Sequence, residues 1–318
     1  MDARVRPDRV ERGGVEPGGA RPRVALVLGA GGARGLAHVG VIQALEARGY
    51  EIAAIAGTSM GALVGAMYAA GKLDEYRAWA FAHDKREIIG LLDFAYGQGG
   101  LFKGERIIGA LREMVGDIDI ESLPLPYVAV ATDIQTQREL WLTRGSLFDA
   151  VRASIAIPGI FTPITIAGRE LVDGGLLDPL PIAATRHALV DLVVAVDVNA
   201  RSPRRLPGLP AEPEPEPEPL DVGGGPRARM AALLGGLLER RRPGEPPRPG
   251  MLDLMLRSLD TMQGQISRLQ AALDPPDVLV RVPRTSANFY EFWRARELAE
   301  LGERIAGDAL DALVERGS

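Results

Sequence analysis

Ile52-Ala53-Ala54-Ile55-Ala56-Gly57-Thr58-Ser59-Met60-Gly61-Ala62-Leu63 passes from an apolar run through G-x-S-x-G into small helix-forming residues. The run predicts a buried strand over Ile52 to Ala56, a sharp turn over Gly57 to Gly61, and a helix over Ala62 to Ala70 that Gly71 ends. Such a strand-to-helix turn has no room for side chains on either flank, a requirement that Gly57 and Gly61 meet. It also lifts the Ser59 hydroxyl clear of the backbone, and the helix start brings N–H groups and positive dipole beside any oxyanion formed there. A capping serine in a glycine turn would look the same locally, so the surroundings decide.

Upstream, Val24 to Leu28 is a second apolar run, followed by Gly29, Gly31, Gly32 and Gly35 and then a helical pattern to about Arg48. Two consecutive strand-turn-helix units imply an α/β domain with a mostly parallel central sheet flanked by helices. Downstream, strands are expected at Tyr127 to Ala131, Glu139 to Thr143, Glu170 to Val172 and Leu192 to Val198. The last is apolar enough for a central position. Helices are expected at Glu105 to Val115 and Leu147 to Ser154. Arg201 to Gly250 holds 12 of the 24 prolines and the repeat EPEPEPEP, so it is predicted to be disordered. Pattern returns with a helix from Met251 to about Leu273, a strand at Val278 to Val282 and a helix from about Phe289 to Val314. The predicted organisation is a disordered tail over 1–22, a catalytic domain over 23–200, a long disordered insert over 201–250, and a segment 251–318 completing the same domain.

Composition narrows the function. A net charge of -5 argues against a nucleic-acid partner held by phosphate neutralisation. No cysteine is present, which excludes disulfides, thiolate metal sites and a cysteine nucleophile. The charged, Gly/Pro-rich first residues resemble neither a signal peptide nor an anchor, and no apolar run approaches the roughly 18 residues of a spanning helix. A cytoplasmic protein is expected, with membrane contact only peripheral at the inner surface. One segment suits such contact: Arg227 to Arg242 sets Met230, Leu233, Leu234, Leu237 and Leu238 between basic ends, although Gly235 and Gly236 disfavour a helix in water.

Two further glycine-rich stretches carry chemistry. Gly29-Ala30-Gly31-Gly32-Ala33-Arg34-Gly35 can form an anion-binding nest of N–H groups. A dinucleotide site would want an acidic residue ending the next strand, but that strand runs into the serine turn, so an oxyanion hole fits better. Arg34 has two competing roles, pairing with an acid to hold the nest or binding a substrate phosphate. In Leu171-Val172-Asp173-Gly174-Gly175 an aspartate ends a short strand before two glycines, which taken alone is common turn chemistry. Of the three histidines, His38 is expected behind the glycine loop and His83 in an exposed helix. Only His187 stands in the order of a Ser59, Asp173, His187 triad, and 14 residues from acid to histidine suits that poorly.

A glycine nest, G-x-S-x-G and D-G-G in this order resemble the three motifs of the patatin-like phospholipase family, its bacterial branch in particular. The usual first motif, G-G-G-x-R-G, is matched from Ala30 to Gly35 except for alanine at the first position. Gly35 to Val41, Arg152 to Gly159 and Asn288 to Phe292 are similar to further family blocks, and the likeness covers about 23–200 and 251–315. The resemblance implies a patatin-like fold and a serine acyl-hydrolase that cleaves lipid carboxylic esters through an acyl-enzyme. Ser59 would be its nucleophile, Asp173 its general base, and the Gly31, Gly32 and Arg34 region its oxyanion donors, with Gly57, Gly61, Gly174 and Gly175 completing the motifs. It implies no metal or organic cofactor and no histidine. Asp173 would need burial beside Gly174 and Gly175, since a carboxylate near pKa 4 is a poor base for serine. The alternative is a regulatory protein that keeps the fold and works through partners. Oligomeric state, head group and chain length leave no mark in the sequence.

Overall fold

The computed structural model describes residues 21–93, 95, 100–201 and 251–317. Residues 1–20 of the expected tail, almost all of the Pro/Glu insert and the Arg227 to Arg242 segment lie outside the described residues.

Strands β1 (Arg23–Leu28), β2 (Glu51–Thr58), β4 (Tyr127–Asp133), β9 (Leu192–Ala200) and β10 (Val278–Pro283) form a parallel array in the order β10-β9-β1-β2-β4. At β4 the sheet turns antiparallel, with β5 (Arg138–Leu142) and β8 (Arg169–Asp173) both paired to it and β7 (Ile164–Ile166) beyond β8. The short strands β3 (Gly100–Phe102) and β6 (Gly159–Phe161) make a separate parallel pair. The central strands are continuous apolar runs because both faces of the sheet are covered.

The two faces differ. Val24, Leu26 and Leu28 of β1 and Val194, Val196 and Val198 of β9 point into the main core. Helices α1 (Ala37–Ala47), α2 (Met60–Ala69), α3 (Leu73–Ala82), α5 (Glu105–Val115), α6 (Leu147–Ser154) and α8 (Ala295–Gly317) contribute to that core. Between α3 and α5, the short α4 (Lys85–Gly90) starts at a capping box of Asp84 and Glu87. Val27 and Ala195 point the other way, into a small cluster with Leu180, Ile182 and Ala271 of α7 (Met251–Leu273). That second face carries few apolar groups, and polar contacts do much of the holding there. On the main face, α1 and α8 cross backbone to backbone, since a Cβ at Gly40 would strike the Ala299 carbonyl and one at Gly302 the Ala37 carbonyl.

The expected elements form with three corrections. The turn predicted over Gly57 to Gly61 shrinks to Ser59 alone: β2 continues to Thr58 because β4 goes on pairing with it to Val130, and α2 already begins at Met60. The last helix starts at Ala295 rather than near Phe289, because the Phe289 carbonyl is held by the Ala33 N–H and Glu291 accepts from the Asn288 N–H. His83, expected inside an exposed helix, is the extended residue just after α3, half-buried with Nδ1 2.7 Å from the Trp79 carbonyl. No helix among the described residues is long and apolar enough to cross a membrane.

Candidate active site

The register of β4 places the site. Strand β2 pairs in parallel with β4 as far as Thr58 opposite Val130, whereas β8 pairs antiparallel with Asp173 opposite Ala131. Because β5 already occupies residues 129–133 along one edge of β4, β2 and β8 must share the other edge. They approach from opposite ends and stop one residue apart. Ser59, the residue after β2, and Asp173, the last of β8, therefore meet head to head.

The serine turn is held from several sides. Ser59 has φ 56° and ψ −122°, a conformation costing a non-glycine residue of order 1–3 kcal/mol. A Cβ at Gly57 would lie 2.5 Å from the Gly61 carbonyl oxygen, and one at Gly61 would strike the Leu28 carbonyl. The Ser59 N–H donates to Ser154 Oγ at 2.9 Å, and Ser154 Oγ donates to the Val130 carbonyl at 2.6 Å. One hydroxyl from α6 thus ties the strained residue to the β4 register. Thr58 Oγ1 donates to the Asp178 carbonyl at 2.8 Å, fixing the turn to the loop that follows Asp173. Ser59 is 3% exposed and Asp173 2%.

Burial dominates the electrostatics of Asp173. Removal from water pushes its carboxyl up to about 7, opposed by the Ser59 hydroxyl and by the Gly175 N–H, which donates to Oδ1 at 2.7 Å. Oδ2 has no partner of strict hydrogen-bond geometry, so the Ser59 hydroxyl stands within reach of the carboxyl without being locked to it. Loose contacts of this kind are common before substrate tightens them. A Cβ at Gly174 would collide with the Val130 carbonyl, which explains the first glycine of the motif.

The glycine nest lies alongside. A Cβ at Gly35 would strike the Met60 side chain, and one at Gly175 would stand 3.1 Å from Ala30 Cβ. The nest is anchored by the Gly29 N–H to Val196 O at 3.1 Å, the Ala30 N–H to Pro179 O at 2.8 Å, the Ala33 N–H to Phe289 O at 2.9 Å, and Asn199 Nδ2 to Ala30 O at 2.6 Å. Gly32 takes a left-handed φ of +56° with Phe289 against its α-carbon. The N–H groups of Gly31 and Gly32 have no acceptor among the described residues. Arg34, by contrast, is turned away into protein. Its guanidinium donates to Val198 O at 3.0 Å, Ala287 O at 3.3 Å and Asn199 Oδ1 at 2.7 Å, and it pairs with Asp260 of α7.

The histidines stand apart. His38 is fully buried with Nε2 2.8 Å from the Gly29 carbonyl, and burial lowers it to about 4, so it bonds the nest as a neutral ring. His187 is exposed beyond the short 3-10 turn Ile182–Thr185. Among the described residues no cluster of three His, Asp or Glu side chains could hold a metal ion. A cavity of about 530 Å³ lies by α4 and α5, lined by Asp93, Lys103, Glu105 and Arg106 among others, and none of its lining groups bonds Ser59 or Asp173.

A family model described as patatin-like phospholipase matches residues 26–186, the span that carries the nest, the serine turn and Asp173. The chain belongs to the patatin-like phospholipase family. An NTE family protein of Mycobacterium tuberculosis is 40% identical over 93% of this chain and 93% of its own. The patatin-like phospholipase domain-containing proteins 7 of rat and 6 of human are 36% and 35% identical over 56% of this chain, which matches 14% and 13% of their lengths. Among solved structures, VipD from Legionella pneumophila aligns over 94% of this chain and 67% of its own at a TM-score of 0.43 and 14% identity. Sequence reasoning missed Asn199, Asp260 and Ser154 as supports of this patatin-like site. Ser154 lies inside the Arg152 to Gly159 block, a signal that was available, whereas nothing local marks Asn199 or Asp260.

Proposed function

We propose that this chain hydrolyses lipid carboxylic esters through an acyl-enzyme on Ser59, with Asp173 as general base. The observation that carries this reading is the meeting of β2 and β8 on one edge of β4, which puts a strained serine beside a carboxyl raised to about 7. Asp173 takes the Ser59 proton as Oγ bonds to the ester carbonyl carbon. The Gly31 and Gly32 N–H groups, with those opening α2, receive the oxyanion. Collapse breaks the bond to the alcohol, which leaves with the proton from Asp173. Water then attacks the acyl carbonyl, gives its proton to Asp173, and Ser59 recovers it as the fatty acid departs.

Arg34 acts in this scheme as the brace of the nest, since each of its three side-chain nitrogens donates to a protein acceptor. Lipid would be reached peripherally, from the cytoplasmic side. The test is a panel of phospholipids, lysophospholipids and neutral esters run on wild type and Ser59→Ala. Hydrolysis by wild type alone supports the reading. Equal rates in both proteins would remove Ser59 from the chemistry, and inactivity of both would favour a regulatory role.

A further inference from the structure

Helix α7 reaches the site from outside the span matched by the family model. Its sheet-facing side is a row of polar groups at helical spacing. Asp260 pairs with Arg34 of the nest, Gly264 faces Asn199, and Gln270 donates to Asp178 at 2.5 Å and accepts from the Leu180 N–H at 3.1 Å. Gln263 sits in the middle of this row. A Cβ at Gly175 would lie 2.5 Å from Gln263 Nε2, 2.9 Å from Asp173 Oδ1 and 3.1 Å from Ala30 Cβ. The Gln263 amide nitrogen, the Asp173 carboxyl and Ala30 of the nest thus crowd the α-carbon of Gly175, where no side chain would fit. Gln263 is only 6% exposed, and its Oε1 is buried without any hydrogen-bond donor.

A buried amide oxygen left without a donor costs about 1–3 kcal/mol, and on a side chain whose amide packs beside a general base it is suited to accept from water. Resting on the acyl-enzyme reading above, we propose that Gln263 holds the water that releases the acyl group from Ser59. In that step the water oxygen bonds to the acyl carbonyl carbon, one proton passes to Asp173, and the other stays hydrogen-bonded to Gln263 Oε1. The tetrahedral intermediate collapses, the bond from the carbonyl carbon to Ser59 Oγ breaks, and Oγ takes the proton back from Asp173. Acylation needs no such water, so Gln263 acts in the second half-reaction alone.

The test separates the two halves on the full chain. Acylation is followed by p-nitrophenolate release from p-nitrophenyl octanoate in a single turnover, and deacylation by loss of the acyl-Ser59 mass. Gln263→Leu is expected to acylate within about threefold of wild type and to deacylate at least tenfold more slowly. Gln263→Glu keeps an acceptor at that position and is expected to recover deacylation above pH 8. Ser267→Ala removes the neighbouring buried, unpartnered hydroxyl one turn along α7 and should leave the ratio of the two rates unchanged. Equal slowing of both half-reactions by Gln263→Leu, or no slowing of either, would overturn the role of Gln263. Absence of any acyl-Ser59 in wild type would instead overturn the acyl-enzyme reading on which it rests.

Discussion

A serine hydroxyl gives up its proton readily only to a base of matching strength, and Asp173 approaches that by being buried. A carboxyl moved from 3.8 to about 7 is a stronger base by roughly 4 kcal/mol at about 1.4 kcal/mol per unit. The same shift makes ionisation limiting near neutrality. Because the base must be charged, kcat/KM is predicted to fall as pH drops through about 7 and to level off above it. His38, lowered to about 4, is neutral on both sides of that limb and contributes nothing to it. The exposed His187 hydrogen-bonds to neither Ser59 nor Asp173, so His187→Ala should keep both the limb and most of the activity. Loss of the limb in that variant would point to a triad.

At the scale of elements, legibility followed the strength of the local signal. The serine turn and nest could be read because glycines were required where backbones touch, as at Gly57, Gly61 and Gly32. Asp173 was legible only in combination, since Asp-Gly-Gly alone is turn chemistry. Its meeting with Ser59 depends on where two strands stop along β4, a long-range register that no local pattern encodes. The strands β3, β6 and β7 have three residues each, too few to show a period. Helix α7 was found, but its exposed apolar residues Leu254, Met262 and Leu269 share the outward side while Asp260, Gln263 and Ser267 face the protein. A hydrophobic-face reading would have turned it around and hidden its tie to the nest. That tie is testable: Asp260→Ala leaves the buried Arg34 guanidinium without its carboxylate and should lower the urea-derived stability by about 2–3 kcal/mol. Activity should fall with it, since the nest loses a support. Unchanged stability and activity would show that α7 does not brace the site.

The whole molecule carries the burden of its site. Asp173 and Asp178 are both buried carboxyls pushed up to about 7, the second mainly by burial and then by Glu139. A carboxyl whose folded pKa lies above its unfolded value stays protonated in the fold at pH values where the unfolded chain has already ionised. Stability therefore falls as pH rises between the two values, here from about 4 to about 7, and is flat above. The melting temperature is predicted to decline from pH 5 to pH 8. Asp173→Asn should raise it at pH 8, where the gain in stability is at most of the order of 4 kcal/mol, and change it little near pH 4. A cost of this kind to the fold is what the proposed role of Asp173 as general base predicts. Should Asp173→Asn melt lower than wild type at pH 8, the carboxyl would be a structural support instead.

The most direct measurement is covalent labelling by a fluorophosphonate ester, with the adduct located by peptide mass mapping on wild type, Ser59→Ala and Asp173→Asn. Wild type is predicted to carry a single adduct on Ser59, Ser59→Ala none, and Asp173→Asn to label and turn over esters more slowly by about a thousandfold, the scale seen when an essential base is removed. Labelling of Ser59→Ala to the wild-type extent, together with ester hydrolysis at the wild-type rate, would contradict the assignment of Ser59 and Asp173 as the catalytic pair.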